Sequence, residues 1–114
     1  MGNSNAAPKT FREMQARAIT VAERYKQKNA RDGNLEWDAS AYMAGFVGDV
    51  GDLSKLIMAR SNFRNIDAVD TKIAHELSDC LWSVIILANE LNVDLEHEFE
   101  DTMKLLKART ADGR

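Results

Sequence analysis

The chain of 114 residues has 45% hydrophobic and 29% charged residues, a formal net charge of −3 and one cysteine. This length allows one domain with a small core, whose stability is expected to depend on partner subunits. The single cysteine, Cys80, excludes an intramolecular disulfide or a cysteine-based zinc site and fits a reducing cytoplasm. Because the 15 basic residues are spread along the chain, the composition also argues against a protein that binds duplex nucleic acid.

The N-terminal segment, MGNSNAAPKT, lacks the apolar run that a signal peptide needs. We expect residues 1–9 to be a disordered tail, residues 10–109 to form the domain and residues 110–114 to be a second tail. The longest uncharged stretch, CLWSVIILAN, is about half as long as a membrane-spanning helix. These features predict a soluble, cytoplasmic protein without a membrane partner.

The first predicted helix begins after Thr10, which is followed three residues later by Glu13 in the spacing of a capping box. Apolar residues then recur at helical spacing, and the polar segment KNARDGNLE ends the helix, with Gly33 as the break. The second helix is expected to be capped by Asp38 and to carry one apolar stripe to about Arg60.

The segment SNFRNIDAVD is expected to connect the second helix to a third, over roughly residues 71–91. This third helix is apolar on most sides and is therefore predicted to lie between neighbours, with Trp82 in contact with another subunit. The turn NVD precedes a fourth helix that Asp94 can cap. With no alternating strand pattern or hairpin dipeptide, the sequence predicts an all-α fold, a bundle of four helices.

Two pairs of carboxylates stand on the second and third helices, Asp49 with Asp52 and Glu76 with Asp79. Residues three apart lie on one face of a helix, so each pair can converge on one cation. A solvated acidic face is the common explanation, but the sector around the first pair carries small or apolar residues in place of bases. Because no histidine or cysteine joins the pattern, the oxygen ligands favour a hard cation, Mg²⁺ or Mn²⁺.

The segment FVGDVGDLSKL, followed by HELSDCLWSVIILANELNVDLEHEFEDTMKLLKAR, resembles the MazG-like all-α nucleoside triphosphate pyrophosphohydrolases. That family pairs E-E-x-x-E on one helix with E-x-x-D on the next. The resemblance extends over about residues 10–109. It implies Mg²⁺-dependent hydrolysis of an NTP or dNTP to the monophosphate and pyrophosphate, a housekeeping role in the nucleotide pool, and a homodimer or homotetramer.

Matched position by position, the resemblance assigns Asp49, Asp52, Glu76 and Asp79 as metal ligands, with Asp49 and Glu76 also as catalytic carboxylates. The metal would neutralise phosphate oxygens while a held water attacks in line. Gly48 stands where the family has its first glutamate, which helps to order the water or a further metal, and aspartate replaces glutamate at 49 and 52. The alternatives are a catalytically weakened relative that binds metal and nucleotide, and a helical protein-interaction dimer without catalysis.

Four further residues are candidates for substrate binding. Trp37 either stacks on a base or closes the end of the bundle, and Lys55 either reaches a phosphate or is a solvated partner of the acids. Asn89, near the middle of the third predicted helix, either recognises a base or makes a hydrogen bond in the core. Lys104, on the closing helix, is a candidate phosphate contact in place of the lysine and asparagine that many members of the family have there.

Overall fold

The computed structural model describes residues 7–61 and 68–111, and the regular structure within these ranges is entirely helical. The helices are α1 (Phe11–Arg31), α2 (Ala39–Ser61), α3 (Val69–Glu90) and α4 (Leu95–Ala111). The all-α prediction is confirmed. Residues 1–6, 62–67 and 112–114 lie outside the described ranges, and with them most of both predicted tails and of the predicted connection between α2 and α3. Among the helices described, none has the length and apolar character that a membrane span requires.

Side-chain caps fix the start of three helices, as their sequences predict. Thr10, Asp38 and Asp94 each accept a hydrogen bond from a backbone N–H three residues further on, at 3.1, 3.0 and 3.3 Å. In a capping box the Glu13 carboxylate would accept a hydrogen bond from the backbone N–H of Thr10. Here it accepts one from the backbone N–H of Lys9, the preceding residue, at 2.9 Å. Each cap satisfies a donor that the first helical turn leaves free, and each is worth about 1 kcal/mol.

The core lies where α3 packs against α2 along much of its length and against α1 over a shorter stretch. Its buried residues are Ala18 and Ala22 of α1, Tyr42 of α2, and Ile85 and Ile86 of α3. The two alanines leave room for a large side chain from the facing helix, and Trp82 occupies it: its indole N–H donates to the backbone carbonyl of Ala18 at 3.2 Å. Within its own chain the Trp82 ring packs between helices and is half-buried, and its predicted contact with another subunit stays a prediction.

Within the predicted bundle of four helices, α4 is the most loosely packed helix of the described residues. It has no buried residue, and its contacts with the other described helices are sparse. Leu95 packs against the core, and Arg12 of α1 forms ion pairs with Glu96 at 2.7 Å and Asp94 at 3.8 Å. Beyond this anchor the apolar row of α4, which consists of Phe99, Met103 and Leu106, is exposed, and Phe99 is 57% exposed. One chain thus forms a unit of three packed helices with a fourth attached at its N-terminal end.

Candidate metal centre and adjoining pocket

Three of the four predicted carboxylates meet between α2 and α3. Asp49, Glu76 and Asp79 each place one carboxylate oxygen within 4.8 Å of the other two, and all three residues are half-buried. Oxygens bound to one Mg²⁺ or Mn²⁺ lie at about 2.0–2.2 Å from it, so oxygens at this separation need only a small movement to share an ion. The spacing on α3 brings Glu76 and Asp79 together, and the packing of α2 adds Asp49.

Asp52 stays outside this triad. It is one turn beyond Asp49 on the same helix and is exposed. Its charge still acts on the site, because it is one of the groups that raise the pKa of Glu76. The structure therefore brings Asp52 near the predicted metal site without giving it an oxygen at the distance of the other three.

Glu76 is the electrostatic centre of the triad. Desolvation raises the pKa of its carboxyl, and the negative charges of Asp49, Asp79 and Asp52 raise it further. The residue as a whole is half-buried, but its Oε2 atom is shielded from solvent and accepts no hydrogen bond within the described residues. Buried acceptors are nearly always paired, and a cation is the partner that would satisfy this oxygen and relieve the repulsion among the acids.

Two neighbours on α3 complete the surroundings of the triad. His75, which is exposed, lies one turn before Asp79, with its Nε2 atom at 3.2 Å from a carboxylate oxygen. Burial raises the pKa of the Cys80 thiol, and the charges of the three carboxylates raise it further. Without a metal the thiol therefore stays protonated at neutral pH. The three carboxylates of the triad supply oxygen donors, which fit a hard cation.

A cavity of about 630 Å³ opens beside Asp49 and Asp79, between α1, α2 and α3. This volume falls within the range of about 300–1,000 Å³ that is usual for small-molecule sites. Four aromatic side chains line it: Tyr25, Trp37, Tyr42 and Trp82. Two members of the carboxylate triad, Asp49 and Asp79, thus line a pocket whose wall includes four aromatic rings.

The aromatic rings meet edge to face. The centroid of Tyr42 lies 5.6 Å from that of Trp37 and 6.0 Å from that of Trp82, and Tyr25 lies 6.3 Å from Trp82. Tyr42 is buried and Trp82 is held by its hydrogen bond, whereas Trp37 is 46% exposed. A Cβ atom at Gly45 would lie 3.6 Å from the Trp37 ring, so the indole lies against the bare backbone of α2. The pocket therefore has an inner wall formed by Tyr42 and Trp82 and two exposed outer rings, Trp37 and Tyr25, of which Tyr25 is 55% exposed.

The segment that carries Trp37 is tied to the helices by a cluster of charges. The Lys26 ammonium lies 3.4 Å from a Glu90 oxygen and 4.0 Å from a Glu36 oxygen. Burial lowers the pKa of Lys26, but the charge and hydrogen bond of Glu90 outweigh this effect and the pKa is raised overall. Because Glu36 is largely exposed, its pair contributes little to stability. Trp37 is thus positioned mainly by its ring contacts.

The other candidates for substrate binding lie away from the pocket. Lys55, Asn89 and Lys104 are all exposed, and none lines the cavity. Asn89 is one residue from the end of α3, so its predicted place near the middle of that helix is wrong, and its exposure rules out the hydrogen bond in the core. Substrate contacts by these three residues stay predictions.

Lys28 and Asn29 of α1 line the pocket, and no sequence motif indicated them. Both belong to the polar segment that the sequence marks only as the end of the first helix. The Lys28 ammonium lies 3.5 Å from an Asp32 carboxylate oxygen, one turn further on. Only the packing of α1 across α3 shows that this end of the helix faces a cavity.

Comparison with protein family models, with curated proteins and with solved structures finds no match to this chain. The fold and the site therefore define the class of protein by themselves. It is an all-α protein in which a half-buried carboxylate triad adjoins an aromatic pocket. A more specific assignment depends on the chemistry of these two features together with the resemblance in the motifs.

Proposed function

We propose that the protein is a Mg²⁺-dependent nucleoside triphosphate pyrophosphohydrolase, which converts an NTP or dNTP to the monophosphate and pyrophosphate as housekeeping of the cytoplasmic nucleotide pool. The observation that carries this proposal is that Asp49 and Asp79, which meet Glu76 in the triad, also line the pocket with the aromatic rings. A carboxylate-held cation binds phosphate oxygens, and aromatic rings stack on bases. A nucleotide carries its phosphates at one end and its base at the other.

The residues present fit the proposed ion. Three carboxylate oxygens are within reach of one centre, and Glu76 Oε2 has no other partner in the described part of the chain. When bound, Mg²⁺ or Mn²⁺ supplies positive charge that neutralises phosphate oxygens. Asp49 and Glu76 are the proposed catalytic carboxylates: they face each other across the helix interface, so they can hold a water beside the phosphates. An ion would also offset the repulsion from Asp49, Asp79 and Asp52 that raises the pKa of Glu76.

Basic residues are needed for the phosphates, and the protein offers several. Lys28 lines the pocket, although Asp32 shares its charge. Lys55 and Lys104 are proposed as further phosphate contacts, and Asn89 as a contact to the base. Because Lys104 lies on the sparsely packed helix α4, we propose that it acts within a homodimer or homotetramer.

Gly48 provides a test of the family assignment. A Cβ atom at Gly48 would meet nothing within 4 Å, so a side chain fits there. Gly48→Glu, which restores the first glutamate of the resembling motif, is expected to raise kcat about tenfold or more with saturating Mg²⁺, because the new carboxylate helps to order the water. Gly48→Ala is the matched control: it gains about 1 kcal/mol of helix stability without a carboxylate, and its kcat should not change. Equal kcat for both variants would contradict the assignment.

Trp37 tests the nucleobase part of the proposal. Trp37→Ala is expected to raise KM for the nucleotide about tenfold with little change in kcat, because base stacking on an aromatic ring is worth about 1–3 kcal/mol and is made equally in the ground state and transition state. Leu35→Ala is the control, since Leu35 lies on the same segment and is 89% exposed. An unchanged KM for Trp37→Ala would remove this ring from the substrate site.

The proposal itself is tested by pyrophosphate release from a panel of canonical and modified NTPs and dNTPs with Mg²⁺, together with melting temperatures. Turnover of at least one nucleotide is the expected result. If no nucleotide is turned over but Mg²⁺ with nucleotide raises the melting temperature, the protein is better described as a catalytically weakened relative that binds metal and nucleotide. The glycine at position 48 would favour this alternative. If neither occurs, the helical interaction protein is favoured.

A further inference from the structure

Ser83 of α3 is a buried polar residue whose hydroxyl has no hydrogen-bond partner among the described residues. It is only 4% exposed. A helical serine or threonine often donates to the backbone carbonyl one turn earlier, as Thr20 of α1 does to Ala16 at 3.0 Å. Within the described ranges the Ser83 hydroxyl makes neither this bond nor another. Buried hydroxyls are nearly always paired, because burial without a partner costs free energy.

The Ser83 hydroxyl can find a partner in the cavity of about 630 Å³, which this residue lines. Its oxygen is not among the fully shielded, unpaired side-chain oxygens of the described residues, so it keeps a small opening. The neighbouring positions on α3, Ile85 and Ile86, are buried and apolar and offer it no partner. A group that enters the cavity is therefore the missing partner.

Ser83 lies one helical turn from the carboxylate triad. It follows Asp79 by four residues on α3, which corresponds to about 6 Å along the helix axis. On α2, Gly45 precedes Asp49 by four residues and also lines the cavity. Because the two helices run antiparallel here, as the acidic and the aromatic contacts show, Ser83 and Gly45 lie at the same level of the cavity. The bare backbone at Gly45 leaves that level open.

We propose that the Ser83 hydroxyl binds a sugar hydroxyl of the nucleotide and is a specificity-determining residue of the site, an inference that rests on the proposed function. A nucleotide held by its phosphates at the triad and by its base on the aromatic rings has its sugar between them, at the level of Ser83. A serine hydroxyl both donates and accepts a hydrogen bond, and so does a sugar hydroxyl. The 2′- and 3′-hydroxyls share this chemistry, and the experiment distinguishes them.

The test is the dissociation constant, measured by calorimetry with Mg²⁺, of α,β-methylene triphosphates in three sugar forms: ribo, 2′-deoxy and 2′,3′-dideoxy. These analogues of the common nucleotides resist cleavage between the α- and β-phosphates, so binding is measured without turnover. The unmodified protein is expected to lose affinity about threefold to tenfold at one step of the series, because one hydrogen bond is lost. The step at which affinity falls identifies the 2′- or the 3′-hydroxyl as the partner.

Ser83→Ala is expected to abolish this step, so that the three sugar forms bind with equal affinity. Ser54→Ala is the matched control, since Ser54 is exposed on α2 and does not line the cavity, and it should keep the step. Without ligand, Ser83→Ala should melt at the same temperature as the unmodified protein or slightly higher, because it removes an unpaired hydroxyl and alanine favours the helix. A fall of several degrees would indicate a structural role and contradict the inference.

The remaining outcomes separate this inference from the proposed function. Equal affinity of the unmodified protein for all three sugar forms overturns the inference and leaves the nucleotide site in place. So does a step that Ser83→Ala preserves, or a Ser83→Ala variant that changes the preference among bases instead, because the hydroxyl would then meet the base. If none of the analogues binds, the inference and the proposed function fail together.

Discussion

Asp79→Asn is expected to lower kcat/KM for Mg²⁺-dependent pyrophosphate release by about a hundredfold to a thousandfold. The substitution keeps the shape of the side chain but removes one of three charges that would hold the ion, and stabilisation of charge at the reacting phosphates is the main task of such a site. The expected loss is therefore mostly in kcat, with a requirement for higher Mg²⁺ concentration.

Asp101→Asn is the matched control for this prediction. Asp101 on α4 pairs with His97 one turn earlier at 3.1 Å, in the same arrangement as Asp79 with His75 at 3.2 Å. Both substitutions therefore remove a carboxylate from a histidine pair, but only Asp79 belongs to the triad. Unchanged activity for Asp79→Asn, or an equal loss for both variants, would refute the assignment of the triad.

Glu76→Gln is expected to have opposite effects on metal binding and on stability. Desolvation and the charges of Asp49, Asp79 and Asp52 raise the pKa of Glu76 above its ordinary value of 4.5 in the folded protein. Between that value and the raised pKa the folded state holds a proton that the unfolded state has lost, so the metal-free protein loses stability as pH rises through this window. A glutamine at this position carries no charge, so the variant does not lose stability as the pH rises.

The measurement is the melting temperature with and without Mg²⁺, at neutral pH and near pH 4.5. Without metal, Glu76→Gln should melt a few degrees higher than the unmodified protein at neutral pH. This difference in melting temperature should become smaller as the pH is lowered towards 4.5, the ordinary pKa of the carboxyl. With Mg²⁺ the order should reverse, because only the unmodified protein keeps all three ligands. The control Glu100→Gln, on α4, should change neither the melting temperature without metal nor the melting temperature with Mg²⁺. A lower metal-free melting temperature for Glu76→Gln, or equal stabilisation of both proteins by Mg²⁺, would contradict this account.

The starts of the helices could be predicted because capping is a local property. Thr10, Asp38 and Asp94 lie directly before the helices that they cap, and each makes the expected hydrogen bond. The start of α3 was less predictable: it follows Ala68, which has a left-handed φ of 56° and no side-chain cap. The helix consequently begins at Val69 rather than near residue 71.

The site could be predicted only in part, because its completion depends on packing. The spacing of Glu76 and Asp79 brings them together on any helix, but the rotation of α2 against α3 decides that Asp49 joins them and Asp52 does not. The same holds for Trp82: its contacts with Ala18 and Tyr42 of its own chain could not be predicted, because the sequence cannot show which helix covers a given face.

The helix α4 is the clearest example of this limit. Its apolar row predicts that this helix packs against something, either the rest of its own chain or another subunit. The structure leaves that row exposed, since Leu95 alone reaches the core. A pattern of apolar residues identifies a face that must be covered, whereas its partner depends on the positions of all the helices.

The central claim is that the carboxylate triad and the aromatic pocket together hydrolyse a nucleoside triphosphate between its α- and β-phosphates. Phosphorus NMR of the products, with Mg²⁺ and after its removal by a chelator, tests this most directly. The account predicts a nucleoside monophosphate and pyrophosphate in equal amounts, formed only when the metal is present. Formation of orthophosphate with a nucleoside diphosphate, or products that are independent of the metal, would contradict it.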